Sequence, residues 1–179
     1  ENSGLSIDAL EQDVAARFAD SDEARDLYSF LANPSQTSPA TLVGDVYQNL
    51  FARDAEEAGR LFWEGRFEEL LASGVTVEQA VGRFVVEVLN AASGPDLAAL
   101  ANKIELAHEF NSQLGAAGAS FSNDSDVQAA KELLASVSAD AQSLADALTA
   151  LESLIDDLLN PGGDAGGGTG DGSGGGGDP

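Results

Sequence analysis

The chain has 179 residues and 43% apolar content, enough for one domain with a full core. Thirty-one Asp and Glu against eight Lys and Arg give a formal net charge of −23, a surface that repels phosphate backbones and anionic lipid and argues against nucleic-acid or membrane-surface binding. With no Cys there is no disulfide framework, thiolate zinc site or cysteine nucleophile, and no run of about 18 apolar residues offers a membrane span.

In chain order, Ile7, Leu10, Val14 and Phe18 recur at helical spacing and predict a first helix with those four on its buried face. Ser38-Pro39 reads as an N-cap followed by a first-turn proline, opening a helix that buries Leu42, Val43, Val46, Tyr47 and Leu50. A third helix is expected from about Asp54 to Gly74, offering Ala58, Phe62, Trp63, Phe67, Leu70 and Leu71 to the core. Thr76 with Gln79 three residues on forms a capping box for a helix carrying Val77, Val81, Phe84, Val85 and Val88. After Gly94-Pro95 comes a helix with Leu97, Leu100, Ile104, Ala107 and Phe110 along one side. Asp124 or Ser125 caps a short helix with Val127, Leu133 and Leu134. The last helix, from about Ser138 to Leu159, has a seam of Leu144, Leu148, Leu151, Ile155 and Leu158. Two heptads fall short of a coiled coil and favour core packing. The expected fold class is all-α, about seven helices in one compact domain over residues 1–160, followed by a Gly/Asp-rich tail or linker over 161–179.

Two further patterns bear on organisation. Glu11 to Phe18 (EQDVAARF) echoes Glu78 to Phe84 (EQAVGRF) with one residue of slip, which makes residues 5–31 a candidate for the end of an earlier repeat copy. The chain opens on Glu1 and contains no Met, as expected of a processed product or a fragment.

The densest motif is Tyr47 to Trp63, YQNLFARDAEEAGRLFW: an aromatic-ended helix, an Arg-Asp junction, an Ala-Gly step and an aromatic pair. It resembles the signature of the bacterial domain-of-unknown-function family 4214, phycobilisome-linker-like helical domains of secreted and S-layer-type proteins. Tyr47, Asn49, Leu50, Phe51, Arg53 and Asp54 carry the resemblance into the junction, Ala58, Gly59, Phe62 and Trp63 carry it beyond, and Ala101-Asn102-Lys103, Ala107 and Phe110 extend it. Ala52 stands where the family usually has Gly, and Glu56 where it usually has Asp. An Ala at 52 would be strained at positive φ, so the junction is expected either to differ or to use the right-handed region. Arg53 beside Asp54 suggests an ion pair with a helix cap, Gly59 a close helix approach, and Tyr47, Phe51, Phe62 and Trp63 the centre of the core. The resemblance implies an extracellular or cell-surface setting and no named activity.

Candidate chemistry is sparse. His108 has Ser112 where a zinc-protease helix would need a second His, and no Gly-x-Ser-x-Gly elbow occurs. Paired carboxylates for a hydrolase are too abundant to be a signal. No catalytic or cofactor-binding residue is singled out, and the chain is not expected to be an enzyme. The tail GGDAGGGTGDGSGGGGDP has eleven of the twenty glycines but lacks the large aliphatic residue of a calcium-binding β-roll repeat, so it reads first as a linker in which Asp164, Asp171 and Asp178 could bind Ca2+ weakly. Asn123-Asp124-Ser125-Asp126 starts like a calcium loop, but Ala135 stands where the distal Glu belongs, and helix capping explains it better.

The leading expectation is therefore a secreted bacterial structural protein, a self-assembling subunit of a surface layer, filament or matrix exported by a type I route. Copies would join through helix faces and the Gly-rich tail, with calcium or salt offsetting repulsion. The alternative is a non-catalytic module anchoring a larger exoprotein to cell-surface polysaccharide.

Overall fold

The computed structural model describes residues 7–34, 37–121 and 123–160. Among them are nine helices and no strand: α1 (Ile7–Ala19), α2 (Asp22–Leu27), α3 (Ser29–Ala32), α4 (Pro39–Phe51), α5 (Glu57–Ala72), α6 (Val77–Ala91), α7 (Pro95–Ala117), α8 (Asp124–Ala135) and α9 (Ala141–Leu159). The all-α class holds. The expected count of about seven is corrected by α2 and α3, six and four residues long and too short to display a helical period. The tail at 161–179, with Asp164, Asp171 and Asp178, lies outside the described residues.

Local chemistry sets the helix ends. Ser38 accepts the Thr41 amide and Pro39 occupies the first turn of α4. Thr76 and Gln79 form the reciprocal capping box of α6. Three starts move from their expected places: α5 begins at Glu57 rather than Asp54, the cap of α8 is Asn123 rather than Asp124 or Ser125, and α9 begins after Asp140. Gly94, at φ +53°, makes the corner between α6 and α7, which bend by 109°. No single described helix is long and apolar enough to cross a membrane.

Two apolar clusters form. The first unites α1 to α6 around Ala19, Phe30, Leu42, Val46, Tyr47, Phe51, Trp63, Phe67, Val81 and Phe84. The second joins α7 to α9 through Leu106, Val137, Leu144, Ala147, Leu151 and Ile155, so the leucine seam of α9 packs inside the chain against α7. Helices α4 and α6 bury the faces their periodicity marks.

On α1, α5 and α7 part of the expected face points outward instead. Val14 is 65% exposed and Phe18 is also exposed, because α1 lies on α6 through Ala15 and Ala16. Ala58 and Phe62 of α5 are exposed, the latter by 64%. On α7, Leu97 and Ile104 are exposed while Ala99, Lys103 and Leu106 are buried.

Burying Lys103 has an electrostatic consequence. Its Nζ donates to the Leu134 carbonyl oxygen at 2.7 Å, and desolvation lowers its pKa from the ordinary 10.5. Between the lowered folded value and 10.5 the unfolded chain holds more protons, so this residue makes stability rise with pH across that window. Tyr28 acts in the opposite sense: burial, then Asp45, pushes its phenol from 10.0 up to about 12, and its contribution is lost as pH climbs through that range. We expect Lys103→Met to raise the urea midpoint near neutrality and to abolish the rise toward pH 10, since it removes a desolvated charge at the loss of one hydrogen bond. A midpoint-against-pH profile parallel to the parent's would contradict this account.

Candidate functional site

The motif from Tyr47 to Trp63 places its residues at the meeting of α4, α5 and α7. Helix α4 ends as Ala52 enters the left-handed region at φ 54° and ψ 39°, with its amide donating to the Gln48 carbonyl. Of the two expected outcomes for this position, an altered junction or a right-handed Ala, neither occurs: Ala52 takes the conformation that Gly would adopt freely. That conformation costs a non-Gly residue about 1 kcal/mol. Ala52→Gly should therefore raise the unfolding free energy by about 1 kcal/mol, with the same helical content by circular dichroism. A loss of stability would mean the Ala side chain contributes more than its strain costs.

The turn delivers Arg53 away from Asp54. Its Nε and one terminal nitrogen donate to the two carboxylate oxygens of Asp96 at 2.7 and 2.9 Å, and its other terminal nitrogen donates to the Asp54 carbonyl oxygen at 2.9 Å. The Asp54 carboxylate instead accepts from the Gln48 amide at 2.6 Å, and Glu56, the N-cap of α5, makes no side-chain cap bond. The expected Arg53–Asp54 pair is thus corrected to Arg53–Asp96, a fork between α4's exit and the first turn of α7. Arg53 also lies over the Tyr47 ring, 5.1 Å from its centroid. The Asp96 hydrogen bond holds the guanidinium pKa above its ordinary value. Beneath, Trp63 Nε1 donates to Tyr47 Oη at 3.0 Å, and Tyr47 meets Phe51 edge to face at 5.2 Å.

This arrangement binds helices to one another. Each nitrogen of Arg53 makes an internal hydrogen bond, so its guanidinium is engaged in tying the α4 exit to α7. Gly59 stands 3.7 Å from Tyr47 Oη when given a Cβ, an ordinary contact rather than the expected close helix approach. Asp96→Asn should destabilise by about 1 kcal/mol, because the pair is partly exposed and solvent discounts it. The deficit should shrink in concentrated salt, and a salt-independent deficit would assign it to packing instead.

Elsewhere the expected candidates stay apart. His108 is exposed on α7. Asn123 Oδ1 accepts the Asp126 amide at 3.1 Å, the cap geometry of α8. Among the described residues no three His, Asp or Glu side chains converge as a metal site. An apolar cavity of about 240 Å³ opens between α7 and α8, lined by Leu106, Phe110, Phe121 and Leu133, with Phe110 and Phe121 stacked at 5.8 Å. No titratable side chain lines it. A second recess of about 160 Å³ between α1 and α6 is walled by Asp13, Ala16, Gln79 and Arg83.

No family model matches the chain, and no curated protein or solved structure is similar to it.

Proposed function

We propose that the chain is a self-associating structural domain, a subunit or segment of an extracellular bacterial assembly such as a surface layer, filament or matrix, in keeping with the resemblance of Tyr47 to Trp63 to domain-of-unknown-function family 4214. The observation that carries the reading is the outward placement of large apolar side chains on a chain of net charge −23. Phe62 and Ile104 are 64% and 68% exposed, with Leu61, Leu97 and Val14 also more than half exposed. Scattered apolar residues are ordinary on a surface. Here five large ones, Val14, Leu61, Phe62, Leu97 and Ile104, each exceed half exposure, so covering them against another copy would gain apolar burial once charge repulsion is screened. Calcium or salt would supply the screening, and the acidic tail would follow the helical domain as a linker.

The test is sedimentation of one preparation with and without millimolar calcium, beside the double variant Phe62→Ser, Ile104→Ser. Larger particles in calcium, lost in the variant while its circular dichroism is unchanged, are expected. A monomer under both conditions overturns the reading, and affinity of that monomer for surface polysaccharide would favour an anchoring module.

A further inference from the structure

Helix α1 packs chiefly against α6, where Gly82 faces the main chain of α1. A Cβ at Gly82 would stand 2.7 Å from the carbonyl carbon and oxygen of Ala15 and 2.9 Å from the Ala16 nitrogen. The echo between Glu11–Phe18 and Glu78–Phe84 aligns Gly82 with this same Ala15-Ala16 step. Two like helices therefore meet at their matched small residues, the geometry of an element paired with a copy of itself.

The link from α1 to α2 is two residues long. It is Asp20-Ser21, with neither Gly nor Pro; the Ser21 amide donates to the Phe18 carbonyl oxygen at 2.9 Å, Phe18 meets Tyr28 edge to face at 6.4 Å, and two side chains complete the bend. Ser21 Oγ accepts the Ala24 amide at 3.1 Å, and Arg25 donates to the Asp20 carbonyl oxygen at 2.9 Å. Those two backbone groups, the Ala24 amide and the Asp20 carbonyl, are the ones that would bond each other if α1 and α2 ran on as a single helix. Straightening thus trades side-chain bonds for a helical one and carries α1 away from its own α6.

We propose that α6 accepts α1 from a second copy of the chain, with Asp20-Ser21 as the hinge, so that copies join by helix exchange. The exchange preserves every α1–α6 contact and rests on the self-association reading, though it uses a different surface from Phe62 and Ile104. In the closed chain this interface is satisfied internally; in the open chain only another copy can satisfy it.

Two full-length variants test it by complementation. Gly82→Val spoils the acceptor and keeps a sound α1; Ala19→Glu places a carboxylate at a fully buried position of α1 and keeps a sound acceptor. Each alone is expected to be monomeric, and their mixture to form a 1:1 complex melting above either component. A mixture that sediments and melts as the sum of its parts overturns the proposal. The hinge variants give an independent answer. Ser21→Ala removes the cap and should raise the dimer fraction of the otherwise unchanged chain. Ser21→Pro costs the closed bend the Ser21 amide bond to the Phe18 carbonyl but puts a proline inside the straightened helix, and should lower dimerisation about tenfold. Assembly that survives Ser21→Pro but is lost in Phe62→Ser, Ile104→Ser refutes exchange and leaves the self-association reading standing; a monomer in every case refutes both.

Discussion

Phe67→Ala is expected to lower the unfolding free energy by about 3–5 kcal/mol, a large share of the roughly 5–15 kcal/mol available to a domain. Phe67 is fully buried and joins three helices: its ring meets Phe30 of α3 at 5.0 Å and Phe84 of α6 at 5.3 Å, both edge to face. Phe84 in turn meets Trp63 at 5.7 Å, so the cavity left by truncation would lie beside the indole. Trp63 is the only Trp, and its fluorescence reports this region without engineering. The informative control is five residues upstream on the same helix. Phe62→Ala removes an equally large side chain that is 64% exposed, and its urea midpoint should stay close to the parent's. Comparable losses at the two positions would place the core of α5 on the wrong face.

That pair of phenylalanines shows where sequence reasoning reached and where it stopped. Period and caps identify α4 and α6 with their buried faces, because each has one apolar side and a strong N-terminal signal. Helices α5 and α7 have apolar residues around more of their circumference, and period alone does not choose the phase. On α7 the choice falls on Ala99, Lys103 and Leu106, since small side chains permit close packing and the Lys stem fills space while its ammonium finds a carbonyl. A lysine is among the last residues to be expected in a core, which is why Leu97 and Ile104 look like better candidates in the bare sequence. The motif at 47–63 announced a helix junction, and a junction is what it forms. Its ion-pair partner was beyond reach, because Asp96 lies 43 residues from Arg53 and only the tertiary arrangement brings them together. Gly82 is a related case. A glycine inside a helical pattern announces a close approach or a weakness, and only the position of α1 decides between them.

Gly82→Val is expected to detach α1 from α6 and to destabilise the chain by at least about 1–3 kcal/mol, the range for forcing extra atoms into a packed contact. The obstruction is backbone: the carbonyl of Ala15 and the nitrogen of Ala16 cannot swing aside as a side-chain tip could. Even Gly82→Ala sets two effects against each other. Helix propensity favours Ala by about 1 kcal/mol. A Cβ at 2.7 Å from main-chain atoms must instead push α1 bodily outward, opening the contact at Ala15 and Ala16. The second effect should win. Gly44 and Gly65 lie in helix interiors with nothing within 4 Å of an added Cβ, so Gly44→Ala and Gly65→Ala should each stabilise by about 0.5–1 kcal/mol. Amide exchange distinguishes detachment from general weakening: in Gly82→Val the α1 amides should lose protection while those of α4 and α5 keep most of theirs. If α1 stays protected in Gly82→Val, the helix reaches α6 by some route other than contact at Gly82, and the helix-exchange proposal loses its geometric basis along with this prediction.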